Sequence, residues 1–170
     1  MKKILKFGGS SVANGESIRQ VASIIENTLN AGDDVFVVLS AMRGVTDALI
    51  EIAIGTREGQ YVEPKLQEIN ELHEEAILEL GLDSDFALVT TFGQYSSQII
   101  DHLPNCPGPS IDFNMWKDSL LCFGELFSAK ILSAFLKKSK IDTEVLDART
   151  VVVTDSNYGN AYVHYQKSYD

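Results

Sequence analysis

Lys6 is the first side chain whose surroundings suggest a reaction, because a pair of glycines follows it closely in the segment KFGGSSVA. A strand that ends in Gly8 and Gly9 leaves backbone N–H groups exposed, and glycine lets a ligand approach them closely. Such a turn, continued by Ser10, can hold phosphate oxygens, and Lys6 could place a positive charge on a phosphoryl group in transit. The alternative is a tight turn beside a solvated lysine. Neither GxxxxGK(S/T) nor GxGxxG occurs, so a P-loop or a dinucleotide site is not supported.

A second loop, LSAMRGVTD from Leu39 to Asp47, offers two hydroxyl groups after the next apolar run. Ser40 and Thr46 suit a small polar ligand, and Gly44 leaves the loop free to fold over that ligand. The alternative interpretation is that at least one of these hydroxyls caps the helix that follows.

Glu125 lies inside a long predicted helix, in the segment FGELFSA. At helical spacing it shares a largely apolar face with Leu121, Ser128 and Leu132. A buried carboxylate without a partner is costly, so we expect Glu125 to meet either an internal Arg or Lys or a cationic ligand. Gly124 costs the helix about 1 kcal/mol relative to Ala, which favours close passage of a backbone or a ligand beside it.

The elements that must position these residues begin with a βαβ unit. The run Lys2–Phe7 predicts a strand, and apolar residues then recur at helical spacing from Ile18 to Leu29. Asn14 is placed to cap that helix and Gly32 to end it. The run Asp34–Leu39 is mostly apolar and β-branched, which is typical of a strand buried on both faces of a parallel sheet. Because ligands collect beyond the carboxyl ends of such strands, both loops are expected to face one pocket.

The rest of the chain is predicted to complete an α/β fold in one domain, a mostly parallel sheet flanked by helices. An amphipathic helix is expected within residues 64–81, and longer helices are expected at Phe86–Leu103 and Phe113–Lys138. Two more short strands are predicted at Thr143–Leu146 and Val151–Val153.

Composition argues against several classes of function. The formal net charge is -10, and without a basic footprint nucleic-acid binding is not expected. No stretch approaches the roughly 20 uninterrupted apolar residues of a membrane span, so we expect a soluble chain without membrane association. Cys106 and Cys122 are too far apart for a CxxC pair, and the three histidines lack ligand-like spacing. We therefore expect no metal site and a reducing, cytoplasmic location.

Taken together, KFGGSSVA, VLSAMRGVTD and FGELFSA resemble, in this order, the motifs of the aspartate kinases of the amino acid kinase family. The terminal segment VLDARTVVVTDSNYGNA is also similar to that family, whereas residues 59–110 carry none of its motifs. The resemblance implies that Lys6, Gly8, Gly9 and Ser10 contact ATP, with Lys6 catalytic. It further implies that Ser40, Thr46 and Glu125 hold L-aspartate, with Glu125 against its α-ammonium.

The implied reaction converts L-aspartate and ATP, with Mg²⁺, to L-aspartyl 4-phosphate, the first step toward lysine, threonine and methionine. The family pattern implies a homo-oligomer, and it makes residues 1–170 only the amino-terminal lobe of the catalytic domain. The second, nucleotide-binding lobe and the regulatory ACT domains would be absent, so the isolated chain is expected to be inactive. The alternatives are an amino acid kinase with another substrate, and a non-catalytic ligand-binding or interaction module derived from such a kinase.

Overall fold

The computed structural model describes residues 1–108 and 111–169. Within these ranges the chain forms two strands and six α-helices: β1 (Lys2–Phe7), α1 (Gly15–Asn30), β2 (Asp34–Leu39), α2 (Val45–Arg57), α3 (Glu63–Glu79), α4 (Phe86–His102), α5 (Ile111–Lys138) and α6 (Tyr165–Tyr169). The predicted α/β class is confirmed in part, because the protein is mostly helical and its sheet is small.

The opening βαβ unit forms as predicted. Strands β1 and β2 pair in parallel, and α1 is the crossover between them. The Asn14 side chain accepts a hydrogen bond of 2.9 Å from Ser17 N, which caps α1. Gly32 follows the helix with φ +82°, the left-handed conformation that glycine adopts readily.

The two faces of the sheet differ in burial, and the prediction that β2 is buried on both faces is wrong. Side chains of Val35, Val37 and Leu39 are half-buried, and helices α1 and α5 pack against this strand. On the opposite face, Phe36 is 55% exposed and Val38 is 48% exposed. These two side chains are therefore accessible on this second side of the sheet, which we call the open face.

Helix α5 is the centre of the core. It packs against α1, α2, α4 and β2, and four of its apolar side chains are at most 3% exposed: Leu120, Phe127, Ile131 and Leu132. Within the described part of the chain it is the one helix long and apolar enough to cross a membrane. Half of that apolar window is buried inside the protein, which is the arrangement of a core helix.

The predicted strands at Thr143–Leu146 and Val151–Val153 are absent from the described structure. Residues 143–147 alternate between half-buried and exposed side chains, as a strand does, but they form no ladder with β2. Beyond them, Thr154 and Val163 form a single antiparallel bridge. A β-branched run describes a side-chain pattern, whereas a strand also needs a neighbouring backbone at hydrogen-bonding distance.

His73 of α3 is buried in the core beside α4 and α5. Its ring centroid lies 4.9 Å from that of Phe127 and 6.0 Å from that of Phe92. Nδ1 is 2.6 Å from the carbonyl oxygen of Ile69, and a carbonyl can only accept, so Nδ1 carries the proton of the neutral ring. Nε2 is buried with no hydrogen-bond partner among the described residues.

Candidate functional site

The glycine turn after β1 uses its two glycines differently. Ser11 N donates to the carbonyl oxygen of Gly8 at 2.9 Å, and a short 3-10 turn follows over Gly9–Val12. A Cβ atom added at Gly9 would lie 2.9 Å from the carbonyl oxygen of Ala41, which leaves no room for a side chain. A Cβ at Gly8 would meet no atom of the described residues within 4 Å. Gly9 therefore permits packing against the second loop, and Gly8 keeps the turn accessible.

The second loop continues directly from the sheet. Ser40 N donates to Phe7 O at 3.1 Å, and Ala41 and Met42 are each 1% exposed. Gly44, with φ +86°, is the N-cap residue before α2, and the helix has no side-chain cap, so the prediction that Ser40 or Thr46 caps this helix is wrong. Both hydroxyl-bearing residues are half-buried.

Helix α5 closes against the same loop. A Cβ atom at Gly124 would lie 2.8 Å from Ala41 Cβ and 3.2 Å from Val45 Cγ1, so the expected close passage is that of the second loop and α2. The buried Ser128 Oγ lies 2.7 Å from Ser40 O and 3.0 Å from Glu125 O, and it can donate its hydrogen to either. All three motif segments therefore meet around Ala41.

Glu125 is exposed, so the expectation of a carboxylate buried on an apolar face is wrong. Ser128 and Leu132 are buried as that face predicts, but the helix surface at Glu125 opens into a groove of about 580 Å³. Strand β2 and the segment 143–149 form the two walls of this groove. Among the described residues no lysine or arginine nitrogen lies within 4 Å of the Glu125 carboxylate, so the internal ion pair is not found there.

Asp147 and Arg149 are polar groove residues to which the sequence interpretation assigned no role. Arg149 Nη2 lies 2.6 Å from Asp147 Oδ2, and Arg149 Nη1 donates to Cys122 Sγ at 3.1 Å. The hydrogen bonds from Arg149 lower the pKa of Asp147, while burial raises the pKa of the Cys122 thiol. The sequence did contain a signal for this ion pair, because an aspartate and an arginine two residues apart are close enough in the chain to contact each other.

Lys6 is exposed on the open face of the sheet, where it is paired in register with Val38 of β2. Val38 itself lines the groove that contains Glu125. Ser10 is exposed beside the accessible Gly8. In the ranges that the structure describes, no carboxylate oxygen lies within 4 Å of Lys6 Nζ. The same residues contain no group of three His, Cys, Asp or Glu side chains that could hold a metal ion.

Comparison with known proteins places these observations in a family. The model of the family described as "Amino acid kinase family" matches residues 1–168. The aspartokinase of Chlamydia pneumoniae is 32% identical over 161 residues, which cover 94% of this chain and 33% of that protein. The Arabidopsis thaliana chloroplastic aspartokinase 1 is 27% identical over 163 residues, covering 92% of this chain and 27% of that protein.

Solved structures show the same fold. Aspartokinase III of E. coli, in complex with aspartate and ADP, superposes with a TM-score of 0.84 at 24% identity. That match covers 97% of this chain and 35% of the other. The chain thus spans about a third of the length of the first of these relatives and of the solved structure.

Proposed function

Because this chain belongs to the amino acid kinase family, we propose that it forms the substrate-holding part of an aspartate kinase. The reaction would transfer the γ-phosphoryl group of ATP to the side-chain carboxylate of L-aspartate. The observation that carries the proposal is the convergence of three motif segments around Ala41, where Gly9, Gly124 and Ser128 hold the turn, the second loop and α5 together.

The glycine turn is proposed to receive the phosphates of ATP. Gly8 has open space where a side chain would otherwise stand, so a phosphate oxygen can approach its backbone. Lys6 and Ser10 are exposed beside it, a cation and a hydroxyl, both suited to phosphate oxygens. ATP would supply the phosphoryl group together with Mg²⁺, and Lys6 would neutralise negative charge on that group during transfer.

L-Aspartate is proposed to bind through Ser40, Thr46 and Glu125. The two hydroxyl residues are half-buried and neither caps α2, so their side chains can serve a ligand. The exposed Glu125 carboxylate has no cationic partner within 4 Å in the described part of the chain, which leaves it available to the α-ammonium of the substrate.

The proposed reaction needs no general base. A free aspartate side chain has a pKa of about 3.9, so the nucleophile is already ionised at neutral pH. The difficulty is to bring this carboxylate onto an anionic phosphate, and positive charge with alignment lowers that barrier. In this proposal Lys6 supplies the positive charge at the phosphoryl group, and Glu125 aligns the substrate by binding its α-ammonium.

Aspartate-dependent release of ADP tests the proposal. Since the chain spans about a third of the length of the Chlamydia pneumoniae relative and of the solved structure, we expect the 170 residues alone to release almost no ADP. The complete gene product, where the gene continues beyond Asp170, should reach the roughly 1 to 100 per second of ordinary kinases with aspartate. Steady aspartate-dependent release of ADP by the 170-residue chain would refute the proposal that these residues form only the substrate-holding part of the enzyme.

The same assay separates the two alternatives. Turnover with acetylglutamate, glutamate, carbamate or a nucleoside monophosphate, but not with aspartate, would identify another amino acid kinase. The exposed Glu125 favours a substrate with a free amine. No turnover of the complete gene product with any of them would leave a non-catalytic module derived from such a kinase.

Replacing Glu125 by Gln is expected to weaken aspartate use about tenfold in the complete gene product, because the charge that attracts the α-ammonium is removed. The melting temperature should not change, since Glu125 is exposed and has no ion pair among the described residues. The kcat/KM for aspartate and a thermal melt provide the two measurements.

The matched control is Glu74→Gln, the same change at an exposed position of α3. It should alter neither quantity. An unchanged kcat/KM for aspartate in Glu125→Gln would remove this residue from the substrate site.

A further inference from the structure

The first turn of α1 is held by a residue of another helix. Glu79, the last residue of α3, accepts a hydrogen bond of 2.8 Å at Oε2 from Gly15 N, where α1 begins. The guanidinium of Arg19, one turn further along α1, donates to the carbonyl oxygen of Glu79. The carboxylate and the carbonyl group of Glu79 therefore both bind the same end of α1.

Glycine is required at the position that Glu79 contacts. Gly15 is buried, and a Cβ atom there would lie 2.7 Å from Glu79 Cβ, 2.7 Å from Glu79 Oε2 and 3.3 Å from Ala76 O. Any other residue would push the ends of α1 and α3 apart. Glycine has a lower helix propensity than most residues, and the close contact with α3 offsets this cost.

The end of α3 is itself anchored to α5. Lys138 Nζ donates to Leu80 O at 3.0 Å and to Gly81 O at 2.7 Å. A cation is favourable beside the last carbonyl groups of a helix, which have no partner within that helix. Glu79 therefore reaches α1 from a segment that is fixed to the helix that carries Glu125.

The position of α1 affects the glycine turn because the connection between them is short. Four residues separate Ser10 from Gly15, and Val12 among them is fully buried. The other end of the turn is fixed by the close approach of Gly9 to the carbonyl oxygen of Ala41. The turn is thus held on one side by the second loop and on the other by α3.

The N-terminus of α1 is already occupied by groups of the protein. The Asn14 side chain accepts from Ser17 N, and the Glu79 carboxylate accepts from Gly15 N. The negative charge of Glu79 also offsets the positive end of the helix dipole. Phosphate oxygens would therefore bind the glycine turn ahead of α1, and the placement of that turn decides how well they fit.

We propose that Glu79 is a positioning residue for the glycine turn and keeps Gly8 and Ser10 in place for the phosphates of ATP. This inference rests on the proposed function, in which the turn receives those phosphates. It assigns a role to α3, which lies in residues 59–110, the stretch without family motifs. In the described structure the hydrogen bonds of Glu79 go to α1, so its loss should affect the use of ATP and not the use of aspartate.

Amide exchange of the 170-residue chain, followed by NMR, tests the hold on the turn without ATP. The Ser11 amide donates within the turn, and the Ser40 amide donates to β1 at the end of the sheet. Glu79→Ala should speed exchange at Ser11 about five- to tenfold, the effect of losing one helix cap, and should leave Ser40 unchanged. Glu79→Gln keeps an oxygen that accepts from Gly15 N, so its exchange should stay within about twofold of the original.

A second variant breaks the same contact from the side of α1. Gly15→Ala should speed exchange at Ser11 as Glu79→Ala does, although alanine favours helix over glycine. Glu75→Ala, the same change at an exposed position one turn earlier on α3, is the matched control and should alter neither amide. Unchanged exchange at Ser11 in Glu79→Ala, or equal acceleration at Ser11 and Ser40, would overturn the proposal.

The kinetics of the complete gene product test the consequence for ATP. Glu79→Ala should raise the KM for ATP about fivefold, while the KM for aspartate stays within about twofold, and Glu79→Gln should restore the KM for ATP. An equal rise in both KM values would show a general loss of structure and contradict the positioning role. If exchange at Ser11 rises but the KM for ATP does not, the glycine turn is not the ATP site. That result would refute this part of the proposed function and leave the hold of Glu79 on the turn intact.

Discussion

Replacing Lys6 by Ala is expected to lower kcat on the order of 10²- to 10³-fold in the aspartate kinase reaction of the complete gene product, the loss typical of one group that stabilises transition-state charge. The KM for aspartate should change little, because the proposed role of Lys6 is toward the transferring phosphoryl group. Lys6 is exposed on the open face of the sheet and has no carboxylate within 4 Å among the described residues. Its removal should therefore leave the melting temperature unchanged.

Lys2→Ala is the matched control for this prediction. Lys2 is exposed on the same strand and on the same open face, four residues earlier. It should retain kcat within about twofold, as expected of a surface lysine away from the reacting groups. If Lys6→Ala kept near-normal kcat as well, Lys6 would be the solvated lysine of the alternative interpretation, and the catalytic assignment would be wrong.

Acidification is expected to destabilise the protein through His73, by about 3 kcal/mol as the pH falls from 7 to 4. Burial lowers the pKa of this histidine to about 4, against 6.5 for the unfolded chain. Below pH 6.5 the unfolded chain therefore binds the proton first, so the folded state loses stability progressively until the pH reaches about 4. The structural cause is burial of the ring beside Phe92 and Phe127, which leaves Nε2 without a hydrogen-bond partner among the described residues.

Urea unfolding of the original chain and of His73→Leu, at several pH values between 7.5 and 4, measures this contribution. The difference in free energy of unfolding between the two should shift by about 3 kcal/mol in favour of the variant as the pH falls. His164→Gln, at an exposed position, is the control for losing a histidine. A difference that stays constant with pH would show that His73 is readily protonated in the folded protein.

Helix boundaries could be read from the sequence because their signals are local. Asn14 caps α1 through an amide three residues away, and Gly81 follows α3 with φ +64°. The long helix α5 begins at Ile111, two residues before the predicted start, and ends at Lys138 as predicted. Such signals involve only residues within one helical turn, so they can be read before the tertiary contacts are known. The start of α2 is the exception, because Gly44 precedes it and neither Ser40 nor Thr46 caps it.

Strand environment could not be read in the same way. The apolar run of β2 gave the strand correctly but not its exposed face, and the β-branched runs at Thr143–Leu146 and Val151–Val153 form no ladder in the described structure. A strand's neighbours come from distant parts of the chain. Its burial and pairing therefore depend on which elements fold against it, and a short run of residues does not contain that information.

The sequence by itself determined the βαβ opening, the approximate ends of α1, α3, α4 and α5, and the order of the three motif segments. The tertiary structure decided which groups meet: Gly9 against Ala41, Gly124 against Ala41 and Val45, and Ser128 near Ser40. In the tertiary structure Glu125 is exposed in a groove, although helical periodicity had indicated that its side chain would be buried. The physical reason is the distance along the chain over which each interaction acts. Capping and periodicity involve a few neighbouring residues, whereas close packing brings together residues such as Ser40 and Ser128, which are 88 positions apart.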